Sequence, residues 1–107
     1  MLNQIVIVGK VKEMPELKET NSSIKYALLT LDVNRNFKNS EGVFESDTIV
    51  CTLWRGIAES CLDVCEVGSL VGIKGRLQSR SYTNEENRTF INYEVIAEKV
   101  SFLDAKQ

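Results

Sequence analysis

Histidine is absent from the 107-residue chain. This absence removes the commonest general base and the commonest metal ligand, so an enzyme would have to be built without its usual side chains. Proline occurs once, as Pro15, and the apolar run from Ile5 to Val8 is far too short to cross a bilayer. Because no basic segment followed by a long apolar one opens the chain, we expect a cytoplasmic protein without a signal peptide.

Cysteine is also scarce, with Cys51, Cys61 and Cys65 as its three occurrences. An odd number of cysteines without a secretion signal argues against a disulfide framework. Cys61 and Cys65 have a spacing that could hold a metal, with Cys51 as a third ligand, but all three fall on predicted core faces. Zinc would also need an unusual fourth ligand. We expect buried thiols, no metal and no cofactor.

The rest of the composition is that of one globular domain. A hydrophobic fraction of 43% and a charged fraction of 26% argue against disorder. Thirteen basic against fifteen acidic residues give a net charge of −2. That balance does not point to a polyanionic partner, but salt screens charges over about 8 Å, so local patterning decides the matter.

Hydrophobic periodicity predicts five strands and one helix. The predicted strands are Met1 to Gly9, Ile24 to Val33, Asp47 to Trp54, Ser69 to Tyr82 and Thr89 to Leu103. Apolar residues at helical spacing predict a helix over Arg55 to Glu66, which Gly68 would end in a left-handed conformation. Residues 34–46 are predicted to form a long loop or hairpin tip.

This order of elements predicts an all-β fold. Three strands, one helix and two strands are the arrangement of a five-stranded OB-fold barrel with its helix between strands 3 and 4. We expect residues 1–107 to form one such domain. Barrels of this kind often bind oligonucleotides or oligosaccharides. The near-continuous apolar run of the first strand predicts that both of its faces are covered.

A cationic strand face is the most informative feature. Alternate residues of a strand share a face, so the fourth strand presents together Lys74, Arg76, Gln78, Arg80 and Tyr82. Cations that follow phosphates and a ring that stacks on a base are what a single-stranded nucleic acid needs. A solvated face whose charges suppress edge pairing explains the same pattern.

Two further aromatic residues lie beside cations. Phe37 stands between Arg35 and Lys38 in a polar stretch without acids, and a buried hydrophobic staple is the alternative explanation. The phase of the third strand puts Trp54 on the outer face beside Arg55, where packing at the barrel rim is the alternative. The acidic residues are expected away from these cations, on the helix, in the first loop and in the last hairpin.

Three such clusters favour a non-enzymatic, sequence-tolerant protein that binds single-stranded nucleic acid. Each stacked base contributes on the order of 1–3 kcal/mol. If about five cations each neutralise one phosphate, the slope of log K against log salt is about −3.5. These interactions do not separate DNA from RNA.

Several stretches over nearly the whole chain form a more specific pattern than any one of them. They are Leu2 to Gly9, Pro15 to Leu17, Val33 to Arg35, Phe37 to Asn39, Leu53 to Arg55, Ala58 to Glu59, Gly68 to Val71, Gly75 to Arg76, Arg80 to Tyr82 and Glu94 to Val95. Together they make the chain similar to bacterial and phage single-stranded DNA-binding proteins, and it resembles the short forms of low-GC Gram-positive bacteria.

The resemblance implies an OB-fold subunit, usually in a homotetramer, that wraps single-stranded DNA in replication, recombination or repair. It implies aromatic platforms at Phe37, Trp54 and Tyr82. The positions that match backbone contacts of the family are Arg35, Lys38, Arg55, Arg76 and Arg80, and the strand pattern adds Lys74. Family dimers form through the first strand, which implies an oligomer interface that contains Leu2, Gln4, Ile5, Val6 and Ile7.

Two departures from the family pattern matter. Family members often have another aromatic residue where this chain has Thr48, which implies one missing platform. Full-length members also carry an acidic C-terminal tip that recruits repair and replication proteins, whereas this sequence stops at Gln107. We expect nucleoid-associated DNA binding without recruitment through that tip.

Two other interpretations stay open on the sequence. One is a dimeric accessory replication-restart OB protein that acts mainly through protein contacts. The other, from a different class, is an oligomerisation module that binds protein or oligosaccharide. A tetramer mass would favour the leading hypothesis over the first, and binding unaffected by salt would favour the second.

Overall fold

A computed structural model of the chain describes residues 1–104. The final three residues, on which the expectation about recruitment depends, lie outside the described residues. Within the described part, the elements in chain order are β1 Ile5–Glu13, β2 Leu17–Glu19, β3 Lys25–Lys38, β4 Phe44–Trp54, α1 Gly56–Val64, β5 Leu70–Thr83 and β6 Thr89–Phe102.

The five long strands close into a barrel. β1 pairs antiparallel with both β3 and β5, β3 pairs with β4, and β5 pairs with β6. A short parallel pairing between β4 and β6, at Cys51 with Val95 and Thr52 with Ile96, completes the circle. The predicted five-stranded all-β barrel is confirmed, with its helix after the third long strand, which is β4 when the short β2 is counted.

The strand β2 was not predicted. Its three residues are all exposed and pair with the beginning of β3. A strand this short has no apolar alternation, and it follows Pro15 in a polar stretch, so the sequence carries no signal for it.

Of the two alternatives predicted for residues 34–46, the hairpin tip is correct and the long loop is wrong, because most of the segment is strand. β3 continues to Lys38 and β4 begins at Phe44. Asn39 organises the remaining turn: its side-chain Oδ1 accepts hydrogen bonds from the backbone N–H groups of Glu41 at 2.9 Å and Val43 at 3.0 Å. A polar side chain that satisfies backbone donors in this way is typical of a tight turn, and the result is an extended β3–β4 hairpin.

The helix is shorter than predicted. α1 ends at Val64, and the backbone of Cys65 is already extended, with ψ of 135°. Gly68 has the predicted left-handed conformation, with φ of 91°, but it lies beyond the helix and its N–H donates to the carbonyl of Val11. Gly68 therefore forms the turn into β5 and does not end α1. Among the described residues, no helix has the length and apolar character needed to span a membrane.

Inward-facing residues of the strands fill the barrel together with one face of α1. The largest fully buried side chains include Leu29, Leu31, Leu53 and Ile73. Gly75 lies where β5 and β6 shift register, and a Cβ at that position would collide with the carbonyl oxygen of Ile96. A close backbone approach of this kind is one reason for a glycine in the interior of a barrel strand.

The prediction that β1 is covered on both faces is wrong within this chain. Ile7 and Val11 point into the core, whereas Val6 and Val8 alternate with them and are 67% and 49% exposed. The strand has one interior face, because successive side chains point to opposite sides. The part of its outer face that Val6 and Val8 form is apolar and is not covered by the described residues.

Candidate nucleic-acid interface

Trp54, the last residue of β4, packs against a second aromatic ring. The register places Tyr26 of β3 directly opposite it, and the ring centroids are 5.1 Å apart with planes inclined at 37°. Trp54 is half-buried, so it packs at the barrel rim and also presents ring surface to solvent. Tyr26 does not stand out in the sequence, because only the strand register shows that it supports Trp54.

A shallow cleft of about 380 Å³ opens beside this pair, and we call it the Trp54 cleft. Four strands supply its walls: β3 and β4 bring the two rings, β5 brings a cation, and β6 brings polar groups because it pairs with both β4 and β5. Its lining includes Tyr26, Trp54, Arg80, Asn92, Tyr93 and Glu94. Stacking surface, a cation and hydrogen-bonding groups thus converge in one concave place.

A chain of hydrogen bonds orients the cation of the cleft. The buried Thr52 hydroxyl donates to Glu94 Oε2 at 2.8 Å, and Arg80 Nε donates to Glu94 Oε1 at 2.8 Å. Within residues 1–104, the two terminal guanidinium nitrogens of Arg80 make no hydrogen bond, and the Arg80 side chain is 66% exposed. The carboxylate therefore holds Arg80 by one nitrogen and leaves the rest of the guanidinium available to an anion.

Tyr82 continues the same strand face beyond Arg80. Its ring stacks on Phe90, its cross-strand partner, with centroids 5.2 Å apart and planes at 24°. Tyr82 is nevertheless 55% exposed. Trp54, Arg80 and Tyr82 are thus brought together along one side of the barrel. Phe90 is a further ring that sequence reasoning missed.

Phe37 lies at the tip of the β3–β4 hairpin and is 66% exposed, so it is not a buried staple. Beside it, Lys38 Nζ lies 5.6 Å from the ring centroid of Phe44, another aromatic residue that the sequence analysis did not select. Phe44 begins β4 and Trp54 ends it, which separates them by about 33 Å at ~3.3 Å per residue. The hairpin tip and the Trp54 cleft are therefore separate places joined by one strand pair.

Arg35 does not have the free guanidinium that the sequence suggested. Its Nε and one terminal nitrogen donate to Asp47 at 3.2 and 2.8 Å, and the other terminal nitrogen donates to Glu45 at 3.2 Å. The hydrogen bond from Arg35 lowers the pKa of the Asp47 carboxyl and raises that of the guanidinium. All three guanidinium nitrogens of Arg35 thus have carboxylate partners.

Arg76 is also paired, with one terminal nitrogen 3.4 Å from Glu98 and the other 3.1 Å from Gln78. The expectation that acids lie away from the cations is therefore wrong. The carboxylates that pair with Arg35, Arg76 and Arg80 are distant in sequence and reach them from neighbouring strands. A count of charges along one segment could not reveal them.

Arg55 is in no ion pair with a described residue and connects Trp54 to the helix. Its backbone has φ of 55° and ψ of −128°, uncommon for a residue other than glycine. Its N–H donates to the carbonyl of Lys25 at 2.7 Å. Backbone strain of this kind clusters at functional sites, and here it places an exposed cation next to the tryptophan.

Lys74 lies apart from the Trp54 cleft. It is opposite Val6 on β1 and Lys99 on β6, and it lines a separate depression of about 280 Å³ that Val6 and Val8 share. Among the residues predicted for an oligomer interface, Leu2, Gln4 and Val6 are exposed, whereas the side chains of Ile5 and Ile7 belong to the core of this chain.

Thr48, where family members often have an aromatic residue, is part of a polar cluster on the outer face of β4. It accepts a hydrogen bond from Lys12 Nζ at 3.1 Å, and the same ammonium lies 3.7 Å from Asp32. This position therefore offers polar groups and no stacking surface.

The cysteines are buried, as predicted. Desolvation raises the pKa of Cys51 to about 11 and that of Cys61 to about 12, and burial also raises the pKa of Cys65. Thiols with such values stay protonated at neutral pH and are poor nucleophiles and poor metal ligands. Among residues 1–104, no group of three or more Cys, Asp or Glu is arranged to hold a metal ion.

Comparison with known proteins agrees with this geometry. A sequence model of the single-strand binding protein family matches residues 2–103. The chain belongs to this family. It is 46% identical over 106 residues to single-stranded DNA-binding protein B of Bacillus subtilis (strain 168), and the match covers 99% of this chain and 94% of that relative. The family identification confirms the resemblance seen in the sequence and the prediction of a non-enzymatic protein.

Two other relatives of the family are longer. The chain is 41% identical over 107 residues to single-stranded DNA-binding protein 3 of Listeria innocua, covering 67% of that protein. It is 44% identical over 106 residues to the single-stranded DNA-binding protein of Halalkalibacterium halodurans, covering 63%. The match spans nearly all of this chain in both cases, at 100% and 99%.

Proposed function

We propose that this chain binds single-stranded DNA with little regard to sequence and protects it during replication, recombination or repair. The observation that carries the proposal is the surface formed by Trp54, Arg80 and Tyr82, in which an available guanidinium lies between a half-buried ring and an exposed one. Bases stack on the rings whatever their identity, and the cation contacts the phosphates between them. The names of the relatives, which are single-stranded DNA-binding proteins, support the same substrate.

The cations contribute unequally in this proposal. Arg80, Arg55 and Lys38 contact phosphates, because each has an exposed charge that is not saturated by carboxylates of residues 1–104. Arg76 contributes less, since both of its terminal nitrogens have partners. Arg35 contributes least, because two carboxylates occupy its guanidinium. Phe37 serves as a third platform at the hairpin tip.

We further propose that the chain forms a homotetramer whose subunits meet through β1. The exposed side chains of Leu2, Val6 and Val8 form an apolar surface on one side of the strand, and an exposed apolar surface of this kind is typical of a protein interface. Lys74 borders this surface, so it lies closer to the subunit contact than to the bound DNA. The native mass in solution tests this part: a tetramer is expected, and a dimer would favour the accessory replication-restart interpretation.

Tryptophan fluorescence tests the proposed DNA binding directly, because Trp54 is the only tryptophan of the chain. Titration with oligo-dT at low salt should quench the emission, and added salt should reverse the quenching. Tyr82→Ala should weaken binding by about 1–3 kcal/mol through the loss of one platform. Val67→Ala, a change at an exposed position between α1 and β5 that lines no part of the Trp54 cleft, serves as the control. Unchanged emission at saturating oligonucleotide would contradict stacking on Trp54.

A further inference from the structure

The arginines of β5 meet carboxylates of β6 in two different ways. Arg76 donates from both of its terminal nitrogens, to Glu98 and to Gln78. Among residues 1–104, Arg80 donates from Nε only, to Glu94 Oε1 at 2.8 Å. A guanidinium binds a phosphate through paired N–H groups along one edge. A carboxylate on a terminal nitrogen therefore blocks the edge that the two terminal nitrogens form, whereas a carboxylate on Nε leaves that edge free.

We propose that Glu94 is a positioning residue for DNA binding, which holds Arg80 so that its two terminal nitrogens meet a phosphate of the bound strand. The inference rests on the proposed function. It gives a carboxylate a favourable part in the binding of a polyanion. The reason is that a cation held in place binds a phosphate better than a mobile one, by more than the added negative charge weakens binding.

Glu94 is itself held by the barrel. The buried Thr52 hydroxyl donates to Glu94 Oε2 at 2.8 Å, and Thr52 lies where β4 and β6 pair and close the barrel. The side chain of Glu94 is 23% exposed, whereas that of Arg80 is 66% exposed. The hydrogen bonds thus run from the closure of the barrel through a largely covered carboxylate to an exposed cation. Support of this kind keeps a binding group in its productive geometry.

The strand register explains why Glu94 reaches Arg80. Glu94 lies opposite Gln78, and Arg80 lies opposite Asn92, so Glu94 and Arg80 are diagonal neighbours. Diagonal positions are about 7–8 Å apart, which long side chains can span. Nε is the guanidinium nitrogen nearest the backbone, so a bond to it restrains the stem of the side chain. The far end of Arg80 stays available to a ligand.

Two opposing effects decide the sign of the contribution. Fixing a mobile arginine side chain weakens binding by up to about 30-fold, through lost rotamer entropy. An Arg80 already held by Glu94 has lost much of that freedom before DNA arrives. The charge of Glu94 opposes binding by about threefold if a phosphate lies about 7 Å away in water. The first effect is the larger, so we expect Glu94 to strengthen binding by about fivefold.

Glu94→Ala tests that sign with oligo-dT at low salt, with Trp54 fluorescence as the readout. The variant should bind about fivefold more weakly, although it has lost a negative charge. Glu94→Gln should bind within about twofold of the unchanged protein, because an amide oxygen accepts from Arg80 Nε and an amide nitrogen donates to the Thr52 hydroxyl. Glu94→Asp keeps the charge but shortens the side chain, so it should weaken binding at least as much as Glu94→Ala. It decides the matter if the alanine variant does not fold.

Glu98→Ala is the matched control. It removes a carboxylate from the same strand, but one that pairs with a terminal nitrogen of Arg76. Since Glu98 blocks its arginine and does not line the Trp54 cleft, this variant should bind at least as tightly as the unchanged protein. Weaker binding of Glu98→Ala, by the same factor as Glu94→Ala, would contradict the distinction between the two carboxylates.

The Arg80→Ala background shows whether Glu94 acts through Arg80. In that background Glu94→Ala should strengthen binding slightly, because it removes a negative charge that has no cation to hold. A carboxylate that contacts the DNA itself, for example through hydrogen bonds to bases, would lose the same factor in both backgrounds. Equal losses in the two backgrounds would therefore overturn the positioning role.

Failure of this inference and failure of the proposed function give different results. Unchanged or tighter binding of Glu94→Ala, or of Glu94→Asp where the alanine variant does not fold, would refute the positioning role and leave DNA binding intact. Absence of oligo-dT binding by the unchanged protein at low salt would refute the proposed function itself.

Discussion

Release of the Arg35 guanidinium should turn a neutralised cation into a phosphate contact. Arg35 is held by Asp47 and Glu45, with all three of its nitrogens engaged. The double substitution Glu45→Gln and Asp47→Asn removes both negative charges and keeps amide groups of similar size. We expect the variant to bind single-stranded DNA more tightly and with a steeper salt dependence, because Arg35 lies two residues from Phe37 on the exposed hairpin.

The size of the effect follows from the number of available cations. The structure leaves three predicted contacts with an available charge, Lys38, Arg55 and Arg80, which correspond to a slope of log K against log salt of about −2. One additional phosphate contact steepens the slope by about 0.7. Taking the two affinities as equal at about 1 M salt, the steeper slope makes the variant bind about fivefold more tightly than the unchanged protein at about 0.1 M salt.

Fluorescence titrations with oligo-dT at several salt concentrations measure both quantities. Glu13→Gln with Asp63→Asn is the matched control, since it changes the net charge equally at two exposed positions outside the ion pairs of residues 1–104. The control should leave the slope near −2. Equal slopes for the two double variants would refute the reasoning that carboxylate pairing masks Arg35.

Three further predictions follow from backbone strain and from shifted pKa values. Arg55→Gly and Arg55→Ala should weaken DNA binding equally, because both remove the same cation. The glycine variant should melt at a higher temperature than the alanine variant, because glycine adopts the positive φ of this position without strain. Equal melting temperatures of the two variants would contradict this prediction. Cys51 and Cys61 should resist a thiol reagent at about pH 8 in the folded protein and react after unfolding, since burial raises both pKa values; rapid reaction of the folded protein would refute their burial. The pKa of the Asp47 carboxyl, followed by NMR, should lie below its ordinary value and rise in Arg35→Ala. Because the pKa is lower in the folded state than in the unfolded state, the ion pair stabilises the fold at pH values above the ordinary pKa of aspartate. This stabilisation is lost as the pH falls through the lowered pKa.

The sequence predicted the barrel because its long strands carry clear local patterns. Alternation in β4 placed Cys51 and Leu53 inside and Trp54 on the outer face, and the helical stripe that contains Ala58 and Cys61 indicated α1. Residues 34–38 of β3 and 44–46 of β4 had no such pattern, because the hairpin that they form projects from the barrel and both of its faces are solvated. A strand without a buried face has no hydrophobic period to detect.

The candidate site was predictable to the extent that it depends on single residues. Phe37 and Tyr82 stood out because each is an aromatic residue in a polar, cationic stretch. Pairs that depend on strand register were not visible, among them Tyr26 with Trp54 and Arg80 with Glu94. Those partners lie on different strands, and only the pairing of the strands fixes which side chains meet. The sequence thus identified three of the rings and the cations, and the fold determined which of them are available.

Photochemical crosslinking tests the path of the DNA most directly. Oligo-dT in which single thymines are replaced by 5-iodouracil crosslinks to aromatic rings that stack on the modified base, and mass spectrometry identifies the attached residues. We expect crosslinks at Trp54 and Tyr82 from neighbouring positions of the same DNA strand. Crosslinks confined to the outer surface of α1, with none at either ring, would contradict it.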